Sequence, residues 1–220
     1  MSIYNLELKD GLEKIDKNDL RICVVGVGTV GLPLATYLAN SGFQVIGLDN
    51  NQERVEQINS GTVRFEYPDL LNLVLKLKKI QATVNPDEAL KNIDVVFVCV
   101  PTPLNDENEI DISNLINVSE RISNYIRSGM LIVVESSVSI GITKTMGEII
   151  EKKSKCKIGT DIGLAYCPER YNPSLPLGDK IPKIVYNDKP SNIKNLTLDE
   201  IARVVGGADE KSQNLTKAIY

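Results

Sequence analysis

Histidine is absent from this 220-residue chain, and that removes whole classes of chemistry. Ser-His-Asp hydrolysis, Cys-His proteolysis and histidine-based metal sites are excluded within the chain. So is the histidine acid/base of many 2-hydroxy acid dehydrogenases. Any chemistry falls to carboxylates, lysine, cysteine, hydroxyls or a cofactor. Aromatic residues are scarce, at 5%, so the core must be built from Val, Ile and Leu. A strong charge of one sign is also lacking: the net charge of −4 gives no reason to expect nucleic acid or an anionic membrane as a partner. No apolar run approaches the ~20 residues that a membrane span needs. The opening MSIYNLELKDGLEKIDKNDL alternates polar and apolar residues without a signal-peptide core, and the chain reads as cytoplasmic. The four cysteines, Cys23, Cys99, Cys156 and Cys167, form no CxxC pair, which argues against a zinc ribbon or a thioredoxin-type motif. Cys23 and Cys99 lie in apolar, strand-like runs, where cysteine behaves as a small buried hydrophobe.

What is present is a regular alternation. After a lead-in over residues 1–20, with one or two helical turns, the apolar β-branched run Arg21 to Gly26 predicts a buried strand. The segment VGLPLATYLANSG predicts a helix, with Pro33 tolerated in its first turn and Gly42 as its stop. Gln44 to Asp49 predicts a second strand. NNQERVEQINSG predicts a second helix, capped at Asn50 with Glu53 three residues on and ended by Gly61. Further strands are expected near Gln81 to Val84, at Asp94 to Val100, Met130 to Glu135 and Ile162 to Cys167, and a short one at Ala202 to Gly207. Helices are expected over SNLINVSERISNYI and ITKTMGEIIEKK. The stretch Tyr171–Asp199, rich in Pro, Lys, Asp and Asn, reads as a long loop excursion. The βαβα order predicts an α/β fold with a doubly wound parallel sheet over residues 21–207. Residues 208–220 begin a connecting helix.

Gly26-Val27-Gly28-Thr29-Val30-Gly31 is a GxGxxG between the first strand and the first long helix, the context of a dinucleotide fingerprint. Gly26 permits the tight turn, Gly28 lets backbone approach a pyrophosphate, and Gly31 lets helix and strand pack closely. The N–H groups at the helix start then meet the phosphates. Asp49 closes the second strand at about the expected 20-residue distance, where a carboxylate accepts the adenosine ribose hydroxyls and repels a 2′-phosphate. The cofactor expected is therefore NAD. Arg54 lies near enough to welcome that phosphate, so the residues alone leave NADP open, along with a fold that keeps the turn and binds no cofactor.

Ligands in such sheets bind beyond the carboxyl ends of the strands. Three of those ends carry Val100-Pro101-Thr102-Pro103, Ser136-Ser137 and Pro168-Glu169-Arg170. Taken singly, each is ordinary turn chemistry; together, beside the fingerprint, they favour a site.

The motifs GVGTVGLPLA, CVPTP, ESSVSIG, AYCPER and RVVGG, in this order, resemble the UDP-glucose/GDP-mannose dehydrogenase family from about Arg21 onward. The Cys-Pro-Glu-Arg form looks more like the branch acting on UDP-N-acetylmannosamine or UDP-N-acetylglucosamine. The resemblance implies oxidation of a sugar C6 alcohol to a carboxylate with two NAD, through an aldehyde caught as a thiohemiacetal by a catalytic Cys. It implies Glu169 as a general acid/base, Ser137 at the position of a Thr that helps to place a water, and Pro101 and Thr102 on the nicotinamide side. Thr29, Val30, Val100 and Ser136 complete the implied cofactor contacts. In the family, the nucleophilic Cys and a substrate-binding Lys lie in a later segment, and Cys167 does not match that Cys. On this reading the chain is half of an enzyme, expected to be inactive alone. It meets its UDP-sugar through a second domain and forms a homo-oligomer through a central helix. Two alternatives stand: a β-hydroxyacid-type NAD dehydrogenase, whose start also reads GxGxxGxPxA but which lacks CVPTP and CPER, and a non-catalytic NAD-binding module.

Overall fold

The computed structural model describes residues 2–63, 79–169 and 202–220. After a single 3-10 turn at Ile3–Asn5 the elements run α1 (Leu8–Asp16), β1 (Arg21–Val25), α2 (Gly31–Ser41), β2 (Gln44–Leu48) and α3 (Gln52–Ser60). They continue with β3 (Ile80–Thr83), α4 (Pro86–Ala89), β4 (Val95–Val98), α5 (Ser113–Ile122), β5 (Leu131–Val134), α6 (Ile142–Ser154), β6 (Gly163–Tyr166), β7 (Gly206–Gly207) and α7 (Glu210–Ile219). The strands form one seven-stranded sheet in the order β3-β2-β1-β4-β5-β6-β7. The first six are mutually parallel and β7 is antiparallel to β6. This is the doubly wound architecture expected, with the order reversing between β1 and β4.

The strands read as unbroken apolar runs because both of their faces are covered. Side chains alternate across the sheet, and so divide between two cores. Ile22, Val24, Val95, Phe97, Leu131 and Val133 enter one core with residues of α1, α2, α3 and α7. Cys23, Val25, Val96, Val98, Ile132 and Val134 enter the other with residues of α5 and α6. Each such side chain, fully buried, contributes about 1.5–3 kcal/mol. Phe97 is the one Phe among the fully buried side chains of greatest volume; the rest of the central packing is almost entirely aliphatic.

Several boundaries differ from the sequence reading. The lead-in carries nine helical residues in α1, more than two turns, and Ile3 and Tyr4 are buried in the first core. The cap of α3 is Asn51, whose side chain accepts from Arg54 N, and not Asn50. The backbone N–H of Asn51 is itself held by Asp49 Oδ1 at 3.0 Å, which places the start of α3 one residue later. Strand β3 begins one residue earlier than expected. Helix α4 went unforeseen, although Asn85 caps it and Pro86 opens it. Only Gly206–Gly207 of the expected last strand pairs with the sheet. The expected excursion at Tyr171–Asp199 and Arg170 of the Cys-Pro-Glu-Arg motif lie outside the described residues. Among the described residues no helix is long and apolar enough to cross a membrane.

Candidate functional site

The carboxyl ends of β1, β2, β4 and β5 open on a cleft of about 840 Å³, at the switch point where ligands bind in sheets of this order. Gly26, Gly28, Thr29, Val30, Asp49, Arg54, Val100, Pro101, Thr102, Ser136, Ser137 and Glu169 all line it. Gly31, the other residue singled out from the sequence, is buried at the start of α2.

The three glycines differ in what they tolerate. Gly26 turns with φ +87, and a Cβ on it would meet Cys99 O at 2.8 Å. A Cβ on Gly31 would lie 1.9 Å from Gly26 O and 3.0 Å from Cys99 Cβ. Its need for glycine thus comes first from the turn itself and only then from packing against the strand side. A Cβ on Gly28 would meet nothing within 4 Å, so the loop leaves open space beside the uncapped start of α2. That opening is where the oxygens of a phosphate would meet helix N–H groups.

Asp49 and Arg54 hold this loop from two sides. Val27 N donates to Asp49 Oδ2 at 2.9 Å, and Arg54 Nε donates to Val27 O at 3.1 Å. Each Asp49 oxygen thus accepts one backbone N–H and keeps a second acceptor position. Across the switch point, two hydroxyls stitch the loops after β4 and β5. Ser136 Oγ donates to Val100 O at 2.7 Å, and Thr102 Oγ1 donates to Ser137 O at 2.7 Å. Asn114 Nδ2 donates to Pro101 O at 3.0 Å. Ser137 is exposed at the rim.

At this far end lies a cluster that sequence reading missed. Glu135, whose side chain has no exposed surface, meets Arg203 Nη1 through both carboxyl oxygens at 3.4 Å. Arg203 Nη2 meets Glu169 Oε2 at 3.2 Å, and its guanidinium lies 4.5 Å over the Tyr220 ring. Burial pushes the Glu135 carboxyl up to about 8; Glu169 adds to the rise and Arg203 opposes it. The available signal was an acid closing one apolar strand run and a base opening another, but nothing local shows that they meet. Burial also drives the neighbouring thiols upward, Cys167 to about 12 and Cys99 well above its usual value, the reverse of what a nucleophilic thiol needs. Among the described residues no group of acidic residues and cysteines is arranged to hold a metal ion.

Comparison with known proteins agrees with this geometry. The family model for the NAD-binding domain of the UDP-glucose/GDP-mannose dehydrogenase family matches residues 20–220. The chain is similar to the UDP-N-acetyl-D-mannosamine dehydrogenase of Methanocaldococcus jannaschii, at 36% identity over 95% of this chain and 44% of that protein. It superposes on a UDP-D-ManNAc dehydrogenase from Pyrococcus horikoshii with a TM-score of 0.74 and 30% identity, covering 91% of this chain and 44% of that one. It superposes on a GDP-mannose dehydrogenase from Pseudomonas aeruginosa with a TM-score of 0.75 and 26% identity, over the same shares of the two chains. It therefore spans less than half the length of these relatives. Over residues 20–220 the chain belongs to the UDP-glucose/GDP-mannose dehydrogenase family and is its NAD-binding domain.

Proposed function

We propose that this domain serves a nucleotide-sugar 6-dehydrogenase that oxidises the C6 alcohol of a UDP-N-acetylhexosamine, with UDP-N-acetylmannosamine as the first choice, to the uronate with two NAD. The observation that carries the proposal is the two-ended cleft. At one end stand an open glycine turn and Asp49. At the other stand the Thr102 and Ser137 loops and the carboxyl of Glu169. The choice of sugar rests on two of the relatives named above, those of Methanocaldococcus jannaschii and Pyrococcus horikoshii, which carry that sugar nucleotide in their names.

Gly28 and the start of α2 cradle the pyrophosphate, with Thr29 and Val30 beside it. The remaining acceptor positions of Asp49 take the adenosine ribose hydroxyls, and Arg54 braces the turn that presents them. Val100, Pro101 and Thr102, locked to Ser136 and Ser137 by the two hydroxyl bonds, form a stiff wall for the nicotinamide half. When bound, NAD supplies the hydride acceptor. Glu169 takes or returns the proton of the reacting alcohol, and Ser137 orients a water from the rim. The thiol that captures the aldehyde is none of Cys23, Cys99 and Cys167, all buried.

Calorimetric titration tests the cofactor half. NADH should bind saturably and more tightly than NADPH. Asp49→Asn, which keeps shape and loses charge, should weaken NADH by roughly ten- to a hundredfold, the worth of lost charge-assisted hydrogen bonds. Tighter binding of NADPH would sink the role of Asp49. The substrate half is tested in a protein that carries this domain together with its sugar-binding half, by nicotinamide reduction with UDP-N-acetylmannosamine against UDP-glucose. Reduction with UDP-glucose alone would overturn the sugar assignment.

A further inference from the structure

One wall of the cleft is a face of α5. Asn114, Asn117, Val118 and Arg121 all line it, and their spacing of three and four residues places them on one side of the helix. Asn114 holds Pro101 O, and Val118 is half-buried against the second core. Arg121 is exposed and reaches away from its helix, with Nη2 donating to Val84 O at 3.4 Å. Thr83, the residue before Val84, accepts the Asp49 backbone N–H at 3.2 Å. The Arg121 guanidinium therefore ends one residue from the backbone partner of Asp49.

The strand order gives the cleft a direction. Outward from the switch point the strands run β4, β1, β2 and β3, and beyond their carboxyl ends stand Val100 to Thr102, the glycine turn, Asp49 and Val84 in that order. A dinucleotide with its pyrophosphate at Gly28 and its adenosine ribose at Asp49 carries its base on the far side of that ribose, because the base and the 5′-phosphate leave the sugar on opposite sides of the ring oxygen. The base then falls at the β3 end, where Arg121 is tethered.

We infer that Arg121 stacks the flat face of its guanidinium on the adenine ring, with Val118 beside it, and so sets the affinity of the adenosine half. The inference rests on the reading of the cleft as the cofactor site. A guanidinium is planar and weakly hydrated and stacks on aromatic faces, and a cation over such a face is attracted by the electron density of the ring. The bond to Val84 O lies in the plane of the guanidinium, so it orients the group without taking up either face. Val118 supplies apolar contact for the part of the base away from the cation. The ligand chemistry recognised at this end is thus a flat, electron-rich base and not a phosphate. The two arginines of the cleft then serve different parts of one ligand. Arg54, bonded to Val27 O, braces the turn at the pyrophosphate, and Arg121 covers the base.

The experiment is calorimetric titration of the chain, of Arg121→Ala and of Arg121→Lys with NADH, with NADPH and with ADP-ribose, which keeps the adenosine half and lacks the nicotinamide. Arg121→Ala should weaken NADH and ADP-ribose by the same factor, about three- to thirtyfold. Arg121→Lys keeps the charge and loses the plane, and should bind both more weakly than the parent. Because Arg121 is exposed, the melting temperatures of the free variants should match that of the parent. The unsubstituted chain gives a second readout, in which nuclear Overhauser contacts should join the adenine ring protons to the Arg121 methylene protons in the ADP-ribose complex. Full recovery in Arg121→Lys, or a loss larger for NADPH than for NADH, would show that Arg121 answers to phosphate charge and would overturn the inference. Unchanged NADH affinity in Arg121→Ala, or an ADP-ribose complex without those contacts, would also overturn it while leaving the cofactor site intact. Failure of the parent chain to bind either NADH or ADP-ribose would overturn the cofactor reading beneath it.

Discussion

Single residues decide how the cleft is built, and two glycines can be told apart by what an added methyl group would meet. Gly31→Ala drives its Cβ into backbone at 1.9 Å, so it should lower the melting temperature and abolish NADH binding together. Gly28→Ala adds a methyl group to open space. Its stability should stay within about 0.5 kcal/mol of the parent, while the proposed placement of the pyrophosphate at Gly28 predicts that NADH affinity falls. A Gly28→Ala protein that binds NADH normally would show that the pyrophosphate lies elsewhere. Glu135 supplies a prediction of its own. Its carboxyl rises from 4.5 to about 8 on folding, so the folded chain favours the protonated form. The associated stabilisation is complete below about pH 4.5 and is lost as pH rises through about 8, at up to about 1.4 kcal/mol per unit. Relative to the parent, Glu135→Gln should therefore gain in melting temperature between pH 5 and 8. A constant gap across that range would show that Glu135 ionises as an ordinary surface acid. That the glycine turn and Asp49 meet was legible, because the strand–turn–helix–strand spacing brings them together. Glu135 and Arg203 were not, because their meaning arises only when residues 68 positions apart in the chain come into contact.

At the level of elements, the parallel strands were legible because burial on both faces leaves an uninterrupted apolar run, as in Val95–Val98. The ends were less so. Asn50 and Asn51 are equivalent by composition, and what separates them is Asp49, whose side chain takes the Asn51 N–H and so delays the helix by one residue. Asn51→Ala should accordingly cost about 1 kcal/mol, the usual loss of a cap, while Asn50→Ala leaves the unfolding midpoint almost unchanged. The reverse order in a denaturant titration would restore the sequence-based assignment. Strand β7 was harder still. ARVVGG looks uniformly strand-like, but only its two glycines pair with β6, where a Cβ on Gly207 would strike Asp209 O and Gln213 N at 2.5 Å. The close approach of α7 thus requires glycine at the last paired position. That contact has no local signature.

Across the whole molecule, the two ends of the chain are fastened together. Tyr4 Oη donates to Asp209 Oδ2 at 2.9 Å, and Lys211 Nζ donates to Tyr4 O at 2.7 Å while lying 4.9 Å from the Tyr4 ring. Asp209 also caps α7 through Ser212 N. Asp209→Ala removes both the cap and the clasp, and should destabilise the fold by about 1–2 kcal/mol. Tyr4→Phe should cost about 1 kcal/mol, the net worth of one hydrogen bond. Because the two substitutions share a partner, their effects should not add; additive losses in thermal unfolding would mean that the clasp contributes nothing. The clasp also bears on biosynthesis. Tyr4 leaves the ribosome 205 residues ahead of the aspartate that receives its hydroxyl. Until α7 has been made the first core therefore lacks one of its walls, and Ile3 and Tyr4 remain accessible to chaperones.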